Sequence, residues 1–304
     1  MVEDNKNELP KRILTPPVTP QPSGTEAGRR TTFVPITGNS SLASLDSNFV
    51  FFFGKAQVGK SVILAAMLYY MNAKAGSIKP KASTPNSQEA ERLLYDFLNE
   101  LKRGQLPSRT TKDLVTRIDM VFEPNNTSKK VRPVSLTFLE MSGENHSEVQ
   151  RGGSYHRSIE EYLRTDIPLS FIMVTDYDNA AEDDALMFSF LNELQKKGRN
   201  LKYINAILVV SKWDKSGHRE VFSEDQLDDF ISEHMPMTAN TINNHALSKT
   251  YFTIGELGSG ADGDERLNEL DLATAGALTE WLYKSITGVD LNYAGTFWER
   301  LKGR

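Results

Sequence analysis

Phe51-Phe52-Phe53-Gly54-Lys55-Ala56-Gln57-Val58-Gly59-Lys60-Ser61 is the stretch on which the reading of this chain turns. An apolar run, Phe49–Phe53, enters a loop with glycine at its first and sixth places, followed at once by Lys60 and Ser61. A helical pattern then runs from Val62 to Met71. Strand, Gly-x-x-x-x-Gly-Lys-Ser loop and helix together make a phosphate-binding P-loop (Walker A) pattern. Glycines let the backbone wrap an anion, with N–H groups converging at a helix N-terminus. Lys60 can reach β- and γ-phosphates, and the Ser61 hydroxyl can ligate Mg²⁺. At ordinary residue frequencies the four fixed positions would coincide in roughly one chain in a hundred of this length. The flanking strand and helix make coincidence rarer still, so a nucleotide site over Gly54, Lys55, Ala56, Gln57, Val58, Gly59, Lys60, Ser61 and Val62 is the expectation.

The 304 residues suffice for one large α/β domain plus tails. Hydrophobic content of 39% is low for a chain folded throughout, which points to an unstructured portion. The net charge of −5 argues against general nucleic-acid binding. With no cysteine, thiol catalysis, disulfides and zinc–thiolate sites are excluded. No apolar run approaches a bilayer's thickness, and the first residues lack a signal-peptide layout. A soluble, cytoplasmic protein is the expectation.

Residues 1–45 carry Thr15-Pro16-Pro17-Val18-Thr19-Pro20-Gln21-Pro22 and few large apolar groups. Such a segment cannot bury enough surface to offset chain entropy and is expected to be a disordered tail, either solvated or a docking segment. From Asn48 strands and helices alternate. After a polar stretch, Ala73–Asn86, the spacing Glu89, Leu93, Leu94, Phe97, Leu98, Leu101 predicts a helix with Ser87 as N-cap. Leu114–Phe122 and Val131–Leu139, separated by Glu123–Lys130, predict an antiparallel hairpin. Apolar runs at Leu169–Val174, Ile204–Val210 and Thr250–Ile254 predict buried parallel strands. Helices are predicted at Ala180–Lys197, Glu224–His234 and Leu272–Ile286. The fold class is α/β, three layers, with a six-stranded sheet of five parallel strands and one antiparallel edge strand. The domain spans 46–288. The remainder, 289–304, holds Tyr293, Phe297, Trp298 and Leu301, either packed back on the domain or available for contacts.

Two further strand ends carry candidate chemistry. Val209-Val210 leads into Ser211-Lys212-Trp213-Asp214. Asp214 can accept hydrogen bonds from guanine N1–H and N2–H₂, a donor pair that adenine lacks, while the Lys212 stem can lie along the base. Leu136–Leu139 continues as Glu140-Met141-Ser142-Gly143-Glu144. Glu140 can hold Mg²⁺, and the Gly143 N–H can meet a γ-phosphate. The acidic run Asp176, Asp178, Glu182, Asp183, Asp184 reads as an exposed loop and first helical turn. Phe49, Phe51, Phe52 and Phe53 read as sheet core.

Gly54–Ser61, Glu140-x-x-Gly143 and Ser211-Lys212-x-Asp214, in this order, resemble the Ras-like small GTPases. Gly104-Gln105-Leu106-Pro107-Ser108-Arg109-Thr110 ahead of Glu140–Glu144 is similar to bacterial GTPase-like domains of the "double-GTPase" type. The resemblance covers roughly residues 48–288 and implies a P-loop NTPase G domain binding GTP or GDP with Mg²⁺. The family has Asp where this chain has Glu140, and Asn or Thr where it has Ser211. On this resemblance Thr110, with Thr111 as the alternative, closes on Mg²⁺ and the γ-phosphate. Arg109 is a candidate arginine finger, and Ile254 and Gly255 lie near the base. The family's water-positioning Gln is replaced by Glu144, which repels an anionic phosphate, and His146 lies two residues on. Lys60, Thr110, Gly143 and Glu144 are the candidate catalytic residues, and Ser61, Thr110 and Glu140 the candidate metal ligands. A switch with slow hydrolysis, signalling to an effector or activating protein, is the implied function. A nucleotide-locked assembly module and a P-loop ATPase stand as alternatives.

Overall fold

The computed structural model describes residues 46–82, 84–107, 115–141, 157–164, 167–217, 224–259 and 265–294. Among these, nine strands and seven α-helices follow the chain in order. β1 (Asn48–Phe53) leads into α1 (Lys60–Tyr70), which ends in a π turn (Met71–Ala75) and runs on into β2 (Gly76–Pro80). Then come α2 (Ser87–Lys102), β3 (Val115–Pro124), β4 (Val134–Met141), α3 (Arg157–Arg164) and β5 (Leu169–Asp176). α4 (Ala180–Lys196), β6 (Asn205–Ser211), a 3₁₀ turn (Trp213–Ser216), α5 (Glu224–His234) and α6 (Pro236–His245) follow. The rest comprises β7 (Ser248–Tyr251), β8 (Gly255–Ser259), β9 (Glu265–Leu270) and α7 (Ala273–Thr287).

Seven strands form one sheet in the order β2-β3-β4-β1-β5-β6-β7. β4, β1, β5, β6 and β7 pair in parallel, and β3 is antiparallel to β4, as the sequence predicts. The predicted six strands are corrected to seven, because β2 pairs antiparallel with the outer side of β3. The antiparallel strand is therefore not the edge. β2 lies in the stretch read as polar. Of its side chains only Ile78 is buried, so an edge strand contacting the core through one residue leaves almost no periodic signal.

β1 shows why the central strands read as continuous apolar runs. Side chains alternate across a strand. Phe49, Phe51 and Phe53 enter one core with residues of α3, α4, α5 and α6, where Phe53 stacks on Phe190 with ring centroids 3.8 Å apart. Val50 and Phe52 enter the other core with residues of α1, α2 and α7. Both faces of the strand are buried, so both parities must be apolar.

The hairpin of β3 and β4 and the helix Glu224–His234 fall where expected. α2 begins at Ser87 itself, with Asn86 in the flanking position and no side-chain cap bond, so Ser87 is not the N-cap. β7 is Ser248–Tyr251, displaced toward the N-terminus from the predicted run. Phe252 and Ile254 are buried beyond it, and β8 and β9 then form a separate two-stranded ribbon. Leu291 packs into the core, and Asn126 Nδ2 donates to the Leu291 and Tyr293 carbonyls at 2.9 and 3.0 Å. The start of the C-terminal segment thus packs back on the domain. No helix among the described residues is long and apolar enough to cross a membrane.

Candidate functional site

The loop between β1 and α1 lies at the C-terminal ends of the parallel strands, where ligands bind sheets of this kind. Its first glycine is sterically required. Gly54 has φ +149°, and a Cβ there would stand 2.1 Å from the Val174 carbonyl oxygen on β5. Gly59, at φ +88°, would bring a Cβ only into ordinary contact with Ser211, but it needs the left-handed backbone that starts α1. Gln57 adopts φ +68° without being glycine, a strained conformation of the sort found at binding loops.

Lys60 folds back over this loop. Its Nζ donates to the Gly54 carbonyl at 2.8 Å and the Lys55 carbonyl at 2.7 Å. An ammonium has three donors, so these two bonds leave one for an incoming anion. Burial lowers the Lys60 pKa from 10.5 to about 8, with the charges of Glu140 and Asp183 acting in the opposite direction. It therefore stays mostly cationic at neutral pH while desolvated, which suits a phosphate contact.

Ser61 Oγ donates to Glu140 Oε1 at 2.5 Å, and Glu140 is only 3% exposed at the end of β4. A hydroxyl and a buried carboxylate in direct contact are hard oxygen donors. They fit Mg²⁺, which takes one or two protein ligands and fills the remaining positions with water and phosphate oxygens. Thr110, Thr111, Arg109, Gly143, Glu144 and His146 lie outside the described residues.

The end of β6 meets the same loop. Ser211 Oγ donates to the Val58 carbonyl at 2.7 Å, which ties Ser211–Asp214 to Gly54–Ser61. Lys212 takes a left-handed backbone, φ +54°, and its Nζ donates to Asp176 Oδ2 at 2.7 Å. Burial would raise the Asp176 pKa, but Lys212 and two bonds from Asn179 hold the carboxyl below its usual range. Asp214 is half-buried on the following 3₁₀ turn. The preceding Trp213 is buried, edge-on to Tyr177 and Phe230. Ile254 is buried in the core, and Gly255 opens the β8–β9 ribbon, so only their backbones remain to face a base.

The acidic run needs correction. Asp178 and Glu182 are exposed, as expected, but Asp176, Asp183 and Asp184 are buried. Asp183 pairs with Lys55 at 2.7 Å and accepts from Thr175 Oγ1 at 2.8 Å. Asp184 accepts from the backbone N–H groups of Met237 and Thr238 at 3.0 and 2.8 Å. A signal for this exists in the sequence. Ala180, Asp183, Asp184, Met187 and Leu191 keep helical spacing on one face, which puts both carboxylates on the apolar side.

This is a P-loop α/β/α fold. No protein-family model and no curated protein sequence matches the chain. Among solved structures it is similar to the signal recognition particle receptor SRb-GTP/SRX complex from Chaetomium thermophilum, at 12% identity and TM-score 0.41, over 71% of this chain and 94% of that one. It is also similar to Methanosarcina barkeri Roco2 RocCORdC bound to GDP, at 12% identity and TM-score 0.38, over 85% of this chain and 55% of that one. A third is described as a probable GTP-binding protein, engB, at 15% identity and TM-score 0.38, over 79% of this chain and 99% of that one.

Proposed function

We propose that the protein is a GTP-binding switch with slow Mg²⁺-dependent hydrolysis. The observation that carries this is the bond from Ser211 to the Val58 carbonyl. It brings a candidate guanine-reading segment against a candidate phosphate cradle, which neither motif achieves alone. In this reading the loop N–H groups and the free proton of Lys60 bind the β- and γ-phosphates. Asp214 reads the N1–H and N2–H₂ edge of guanine, and Ser61 and Glu140 hold the metal. When bound there, Mg²⁺ would offset the negative charge of the phosphates. Thr110 and Gly143 report the γ-phosphate to a partner protein, and hydrolysis releases them. The step itself is slow because Glu144, in place of a neutral amide, repels the phosphate that the attacking water must approach.

The test is nucleotide preference by competition against fluorescent GDP with purified protein. GTP and GDP are expected to compete better than ATP and ADP, and tighter ATP binding overturns the reading. Asp214→Asn should weaken GDP by at least about tenfold and favour the xanthosine nucleotide, since a site built on a paired carboxylate penalises loss of that pairing. Single-turnover GTP cleavage that Lys60→Ala abolishes separates a slow switch from a locked assembly module.

A further inference from the structure

Lys55, the second residue of the loop, has two unlike attachments. Its carbonyl accepts from Lys60 Nζ at 2.7 Å. Its own Nζ lies 2.7 Å from Asp183 Oδ1 and donates to the Glu182 carbonyl at 3.3 Å, both in the first turn of α4. Asp183 is 0% exposed, and its other oxygen is held by Thr175 at the end of β5. Lys55 itself keeps 31% of its side chain exposed.

A surface pair of this kind would contribute little. Here one partner is fully desolvated, and an unpaired buried carboxylate is strongly unfavourable. Its place raises the stakes. Asp183 binds the same lysine whose carbonyl holds Lys60, so a bare carboxylate there would also repel a phosphate bound at the loop.

We propose that Lys55 and Asp183 form a positioning pair for a nucleoside di- or triphosphate. Lys55 cancels the buried charge and fixes the carbonyl that aims Lys60, without itself touching phosphate. The inference rests on the nucleotide-binding reading above. It adds that the second loop residue faces α4, and that the first turn of α4 belongs to the phosphate site.

The experiment is a double-variant cycle read by GDP and ADP affinity together with thermal midpoint. Lys55→Met strands the carboxylate and should weaken binding by on the order of tenfold or more. Adding Asp183→Asn, which removes the charge and keeps the shape, should recover most of that loss. Lys55→Arg, which keeps a cation, should lose less than Lys55→Met. If the double variant stays as weak as Lys55→Met, the lysine contacts phosphate directly and the inference fails. If Lys55→Met lowers the thermal midpoint but leaves affinity unchanged, the pair is only structural and the inference also fails. Should Lys55→Met not fold, the comparison of Lys55→Arg with the double variant decides: strong binding by both supports the pair, and a weak double variant overturns it. Wild-type protein that prefers ADP refutes the guanine reading while the cycle is read on ADP. Wild-type protein that binds neither nucleotide refutes both.

Discussion

Lys60 shows how one side chain is set by two opposed effects. Desolvation favours the neutral amine, and the nearby carboxylates favour the cation. With a folded pKa of about 8 against 10.5 for the free side chain, the unfolded chain holds more protons between those values. The empty protein therefore gains stability as pH rises through that window, and below about 8 it bears the full cost of burying the charge. Binding has the opposite sign, because an anion needs the protonated form. GDP affinity is expected to be flat below about pH 8 and to fall above it by up to about tenfold per unit. Calorimetry in buffers of different ionisation enthalpy should show proton uptake on binding near pH 8.5, and Lys60→Ala should abolish that uptake. Ser211 illustrates a different economy. The position needs a donor to the Val58 carbonyl, which a serine hydroxyl supplies as well as the larger side chains that the family resemblance leads one to expect there.

At the scale of elements, α4 joins two parts of the molecule through adjacent residues. Asp183 reaches the loop before α1, and Asp184 caps α6 from outside that helix. The first N–H groups of a helix have no partner within it, and a carboxylate placed there is favoured by both hydrogen bonding and the helix dipole. Asp184→Ala is therefore expected to cost about 2 kcal/mol. The urea midpoint should fall with an unchanged slope, and amide exchange should accelerate first at Met237 and Thr238. α6 was not foreseen, because Pro236–His245 is mostly polar and buries only a few residues. Its start is fixed by a carboxylate some fifty positions earlier, which no local pattern records. β2 and the β8–β9 ribbon escaped for a related reason, since each offers the core very little apolar surface.

At the scale of the molecule, the loop Gly54–Ser61 follows a strand that feeds two cores, one on each face of the sheet. Gly54 packs on β5, Ser61 meets β4 and Ser211 reaches over from β6, so the site is assembled from the ends of several strands. A ligand bound there engages the whole fold and should stabilise it by mass action. At a GDP concentration about a hundredfold above Kd the gain is about 2.7 kcal/mol. For a domain of this size that corresponds to a rise in Tm of roughly 5–10 °C by differential scanning fluorimetry, with no comparable rise for ADP.

The sequence by itself determined the strand, loop and helix around Gly54–Ser61, the hairpin before Glu140 and the parallel strands through Ser211. These depend on local rules: backbone freedom at glycine, and apolar side chains at both parities of strands buried on both faces. Only the tertiary structure decided which polar residues meet. The pairing of Ser61 with Glu140, Lys55 with Asp183, Lys212 with Asp176 and Ser211 with Val58 joins positions 36 to 153 residues apart. A carboxylate in a first helical turn looks the same in sequence whether it faces water or a lysine. Burial and charge pairing are properties of the packed chain, and they decide which of these groups belong to the site.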